Sequence, residues 1–181
     1  MPNHPHLPNL TAILSALATF YAFAPTGLAA ESAPLPEQVL ERLVGSWKVT
    51  GTIRGQAISQ TLTAKRILAR RFVQLHFKGL KPMGKGEPPY EARVVMGWDP
   101  KAKRFVGHWM DVFGAGASEP VGHGQLQGQA LVMVYPYPSS HFRNTFRFDS
   151  KARQWRLLIE ARKPDNTWAT FAEQRFSRVG R

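Results

Sequence analysis

The chain of 181 residues contains no cysteine. That removes thiolate catalysis, disulfides, and Cys-ligated zinc or iron–sulfur centres. Acidic residues are also scarce: 12 Asp and Glu stand against 24 Lys and Arg, for a formal charge of +12. Of the four aspartates, Asp99, Asp149 and Asp165 sit in Pro-, Ser- or Asn-containing turn signals, which leaves Asp111 alone inside an apolar stretch. Familiar catalytic signatures are missing too. There is no Gly-x-Ser-x-Gly elbow and no His-Glu-x-x-His. Gly114-Ala115-Gly116 is followed by Glu119 where a dinucleotide fingerprint needs its third glycine, and no helical pattern follows. His76, His108, His123 and His141 show neither i, i+2 nor i, i+4 spacing, so no metal site is assigned.

The first thirty residues hold no Lys, Arg, Asp or Glu. Thr11–Ala24 is an apolar run, short for a bilayer-spanning helix, which needs about 20 residues. Pro25, Gly27 and the small pair Ala29–Ala30 follow it. This reads as a secretory signal over residues 1–30 with cleavage near Ala30, although the n-region offers only His4 and His6 as basic groups. The alternative is a retained N-terminal anchor. Export places the protein in the periplasm or outside the cell. A basic body then favours an anionic envelope component as partner, and a nucleic acid is not expected. Alternating Arg143, Arg147, Arg156 and Arg162 have a simpler explanation as a solvated face.

After a linker at 31–36, Val39, Leu40, Leu43 and Val44 give a short helical stripe that Gly45 can end. From there to Ser177 the chain alternates apolar and polar residues in ten stretches, a two-residue period that buries one face of each strand. They are 46–54, 57–68, 71–79, 90–98, 103–112, 119–126, 130–137, 140–149, 153–163 and 167–177. Short turns make neighbours antiparallel. Asp99-Pro100-Lys101-Ala102-Lys103 and Asp149-Ser150-Lys151-Ala152-Arg153 are near copies of one turn. The expected fold is all-β over 37–181: a closed antiparallel up-and-down barrel of about ten strands with one N-terminal capping helix. A barrel of that size leaves room for a ligand.

Register places Trp168 and Thr170 on the core side, together with Trp109, Asp111, Tyr135, Asn144 and Gln174, and makes His123 an inward candidate. A few polar groups among aromatics are how a concave site orients a small molecule. The ligand-binding candidates are therefore Trp109, Asp111, His123, Tyr135 and Asn144. Asp111 either lines the lumen or sits at its strand end and stabilises the loop at 114–116.

Leu43-Val44-Gly45-Ser46-Trp47 with Gly51 resembles the opening of lipocalin-like barrels. Arg66-Ile67-Leu68, Met96-Gly97-Trp98-Asp99, Trp109-x-Asp111 and Glu173-x-x-Phe176-x-Arg178 extend the likeness to the bacterial DUF1579 family of lipocalin-like (calycin-type) domains. The resemblance implies a closed barrel around a cavity, a structural stack of Arg178 on Trp47, and no established activity. Nitrobindin-type barrels are more distantly similar and bind haem through a C-terminal His. No His follows His141, so no cofactor is expected. The leading reading is an exported barrel holding a small apolar or amphipathic molecule, which could be anionic. The alternatives are an enzyme with Asp111 as general acid or base, or a filled structural barrel.

Overall fold

A computed structural model describes residues 34–180. The proposed signal peptide, its cleavage point and the start of the linker lie outside the described residues. One helix, α1 (Pro36–Leu43), leads into ten strands: β1 (Gly45–Ile53), β2 (Gln56–Ile67), β3 (Phe72–Pro82), β4 (Pro89–Asp99) and β5 (Arg104–Asp111), then β6 (Val121–Gln127), β7 (Ala130–Pro136), β8 (His141–Asp149), β9 (Gln154–Arg162) and β10 (Trp168–Arg178). Each strand pairs antiparallel with its sequence neighbours, and β1 pairs with β10 to close the barrel. Closure leaves no strand edge unpaired, so the backbone hydrogen bonding completes itself.

The turns follow their residues. Asp99 Oδ1 accepts from the N–H groups of Lys101 and Ala102 at 3.0 and 3.1 Å, and Asp149 Oδ1 accepts from Ala152 N–H at 2.9 Å. Lys103 and Arg153 then take the same left-handed φ, 50° and 52°, so the repeated sequence builds a repeated turn. The β2–β3 turn is less comfortable. Leu68, Ala69 and Arg70 are consecutively left-handed, where each Cβ crowds the next carbonyl oxygen.

Helix α1 starts with Pro36 at its first position, where a missing N–H costs nothing. It buries Val39, Leu40 and Leu43 over one end of the barrel. Its last carbonyls are not left bare. Trp47 Nε1 donates to Leu43 O at 2.8 Å and Trp155 Nε1 to Arg42 O at 3.3 Å, so two core indoles finish the helix. Arg178 lies 4.3 Å from the centroid of the Trp47 ring and donates to Val44 O at 3.0 Å. The expected Arg178–Trp47 stack is therefore present. Gly45 makes it possible: at φ 136°, any Cβ there would collide with the Arg178 guanidinium.

Two register expectations fail. Phe171 is extruded as a β-bulge between Thr170 and Ala172 against β9. A one-residue bulge switches faces. The first turn of β10 is thus inverted: Thr170 is exposed, and Trp168 lies on the outer face under the Arg143 guanidinium at 4.4 Å. His123 is the second. It pairs with Val106 and Val134 and is exposed, because the flanking Gly122 and Gly124 take the inward positions.

Candidate site at the open end of the barrel

The end opposite α1 carries the chemistry. It is built from the starts of β4, β8 and β10 and the ends of β1, β5 and β7. Gly107 and Gly122 leave a flat strip on which the Tyr135 ring lies. A Cβ on Gly122 would sit 2.6 Å from ring carbons, and one on Gly107 would sit 2.9 Å from the hydroxyl. The glycines that disqualify His123 as an inward group are thus what places Tyr135. At the end of β7 a tight turn, with Tyr137 N–H donating to Tyr135 O at 3.1 Å, brings Tyr137 over the mouth.

Rings then follow one another around this end of the barrel. Phe113 contacts Tyr90 with centroids at 6.2 Å, and Trp109 Nε1 donates to the Tyr90 hydroxyl at 3.3 Å. Trp109 meets Tyr135 edge-on at 6.4 Å, Tyr135 meets Tyr137 at 6.5 Å, and Tyr137 meets Phe142 at 5.6 Å. Phe142 meets Phe171 at 5.2 Å, and Arg54 closes the series over Phe171 at 5.1 Å. The bulge that turned Trp168 outward is what brings Phe171 into this arc. A second stack descends from Trp109 through Phe77 at 5.6 Å to Phe176 at 5.8 Å, joining the mouth to the core.

Asp111 sits at the end of β5 and is tied to the loop that follows. Its Oδ1 accepts from Phe113 N–H at 3.0 Å, and Ser118 Oγ accepts from its N–H at 3.2 Å, so it fixes the following loop. Its carboxylate and the Tyr90 phenol lie close enough to shift each other's titration. Loss of water raises its pKa, against the lowering effect of the Phe113 hydrogen bond and the Tyr90 phenol. Burial, reinforced by the Asp111 charge, pushes the Tyr90 and Tyr137 phenols up. In all three groups burial shifts the balance toward the neutral form.

Deeper in the barrel, four buried polar atoms have no partner among the described residues: Gln60 Oε1, Asn144 Oδ1, Gln174 Oε1 and the Tyr135 hydroxyl. All four residues are at least nine-tenths buried. Such atoms are rare in folded proteins and each calls for a physical account. Of the site residues expected from sequence, Trp109, Asp111, Tyr135 and Asn144 face the interior, and His123 does not. Tyr90, Tyr137 and Gln60 were not singled out. The histidines lie on the outer face: His76 Nε2 is 2.6 Å from Glu91 Oε1, and His108 Nε2 is 2.6 Å from Ser118 O. Among the described residues, no three His, Asp or Glu come together as metal ligands.

The search of curated proteins returned no match. A solved structure of a redesigned β barrel is similar over 78% of this chain and 95% of its own, at 13% identity and a TM-score of 0.41. The model of the family described as "Protein of unknown function (DUF1579)" matches residues 34–178, nearly all of the barrel and its capping helix, and the chain belongs to that family.

Proposed function

We propose that this barrel binds a small amphipathic molecule in the open half of its lumen. The observation that carries this is the set of unpartnered atoms on Gln60, Tyr135, Asn144 and Gln174. A buried polar group without a partner costs about 1–3 kcal/mol, so four within one lumen mark where a guest's polar groups belong. The aromatic arc supplies apolar contact. Asp111, the carboxylate of the mouth, makes a neutral or cationic head group a better fit than an anionic one. The apolar run at Thr11–Ala24 and the strongly basic body support export to the periplasm or beyond.

A second reading has its own observation. A carboxylate beside a phenol can exchange a proton with a bound substrate, so Asp111 with Tyr90 could act as general acid and base. Native mass spectrometry of protein purified from its own host separates the readings. The binding role predicts a co-purifying small molecule that is absent from the Tyr135→Phe, Asn144→Leu double variant. Protein of unliganded mass from the same host, with both forms equally stable, would remove that role.

A further inference from the structure

The capped end holds a second, unrelated feature. A groove of about 320 Å³ is lined by Arg42, Trp47, Phe148, Ser150, Arg153 and Arg178. It shares Arg153 and Arg178 with a shallower depression of about 990 Å³ bordered by Ser46, Gln154 and Ser177. Four of the described arginines have carboxylates: Arg66 and Arg70 meet Glu41, Arg93 meets Glu91, and Arg143 meets Glu160. None of the three groove arginines forms an ion pair among the described residues. Asp149, their neighbour in sequence, is occupied with its own turn at Ala152 N–H.

Two of the guanidiniums are held in place by aromatic rings. Arg178 lies over Trp47 at 4.3 Å and Arg42 over Phe148 at 5.6 Å. Stacking on a ring fixes the plane of the guanidinium and leaves its N–H edge free to donate, the geometry in which arginine recognises oxyanions. Beyond the groove, Arg147, Arg156 and Arg175 stand directly opposite one another across β8, β9 and β10, all exposed and none ion-paired. Like charges in cross-strand register oppose folding. Six such arginines on neighbouring strands and turns carry a repulsion that an anion would relieve.

We propose that the Arg42–Arg153–Arg178 groove is a binding site for a phosphate group, with Ser150 as a further donor. Its volume exceeds what a bare phosphate fills, so the group would belong to a larger molecule, either a soluble phosphate ester or a phospholipid head group. This site lies at the opposite end from the lumen mouth and does not depend on the lumen reading.

The test uses the protein with inorganic phosphate as probe, followed by Trp fluorescence and by the Arg side-chain signals in NMR. The variants are Arg153→Asn, chosen because asparagine tolerates that residue's left-handed backbone, and Arg42→Gln. Lys85→Gln, in the β3–β4 loop at the other end, is the control for net charge. Saturable phosphate binding, weakened about tenfold by either groove variant and unchanged in Lys85→Gln, supports the site. Vesicles of phosphatidylcholine with and without phosphatidylglycerol form the second arm. Tighter binding to the anionic vesicles with the same sensitivity to Arg153→Asn identifies a head group, and phosphate binding alone identifies a soluble ester. Binding to neither probe, or an equal loss in Lys85→Gln, overturns the proposal.

Discussion

The two ends of this barrel are made from the same ten strands, yet they treat polar groups in opposite ways. At the capped end both core indoles donate to the last turn of α1, Arg178 donates to the chain beside it, and Glu41 gathers Arg66 and Arg70. At the open end Asp111 is half-buried, the Tyr135 hydroxyl is unmet, and Phe113 and Val112 stand exposed on the loop that follows. A closed cylinder must be filled or plugged somewhere to be stable. Here α1 and Trp47 do that at one end, which frees the other to tolerate residues whose best partners are not in the chain.

The largest effect should therefore come from the plug. Trp47→Ala removes a fully buried indole, its bond to Leu43 and the platform under Arg178, and should cost about 3–5 kcal/mol in denaturant unfolding. Tyr137→Ala at the mouth, which is only partly buried, should cost less than half as much while weakening ligand retention. Equal costs would erase the division of labour between the ends.

Next is Gly122→Ala, which forces a methyl group into the Tyr135 ring. It should cost about 1–3 kcal/mol as an overpacked contact, and the adjacent change His123→Ala should be nearly neutral. A neutral Gly122→Ala would show that Tyr135 does not rest on this strip.

That pair of residues also shows where sequence reading stops. Alternation located all ten strands to within a few residues, because a two-residue period is visible in any window and every turn but Leu68–Arg71 carries its own Asp, Pro or Gly. It assigned the inward face correctly for Trp109, Asp111, Tyr135 and Asn144. It failed at His123 because a histidine between two glycines gives no pattern of its own. The face is decided by Tyr135 and Met133 on β7, which need the glycines' space. It failed at Trp168 and Thr170 because a bulge at Phe171 leaves no local signature: one extra residue shifts the phase while every residue type still suits a strand. The nearness of Tyr90 to Asp111 depends on register between β4 and β5, which is a tertiary property.

The lumen amides give a prediction of opposite sign. In ligand-free protein, Asn144→Leu replaces an unmet buried carbonyl with an apolar group of similar shape and should raise stability by about 1 kcal/mol. The same substitution on outward Arg143, which bonds Glu160 at 2.8 Å, should lower it. A destabilised Asn144→Leu would mean that this amide is already satisfied within the folded protein. Relief of the strained β2–β3 turn should be smaller still at the capped end, where Ala69→Gly removes one left-handed Cβ for a gain of roughly 0.5–1 kcal/mol.

The smallest effect concerns Asp111, and it varies with pH. Dehydration raises its pKa above the ordinary carboxylate value, so the folded protein binds this proton more tightly than the unfolded chain does. Stability linked to the group is then fully present below the unfolded pKa and declines as pH rises through the folded one. Asp111→Asn keeps an acceptor for Phe113 N–H but cannot ionise. The variant should therefore melt above the wild type at neutral pH, by no more than about 2 °C because the group is half in water, and the gap should close as the pH falls below the ordinary Asp range. On the outer wall the sign reverses. Glu91 is held below its usual pKa chiefly by the His76 hydrogen bond, so its contribution is present above the unfolded pKa and lost on acidification. Melting curves of Asp111→Asn and Glu91→Gln against pH should thus bend in opposite directions. Parallel curves would show that Asp111 is as well hydrated as a surface carboxylate, and with that the dry mouth that distinguishes the open end from the capped one would be lost.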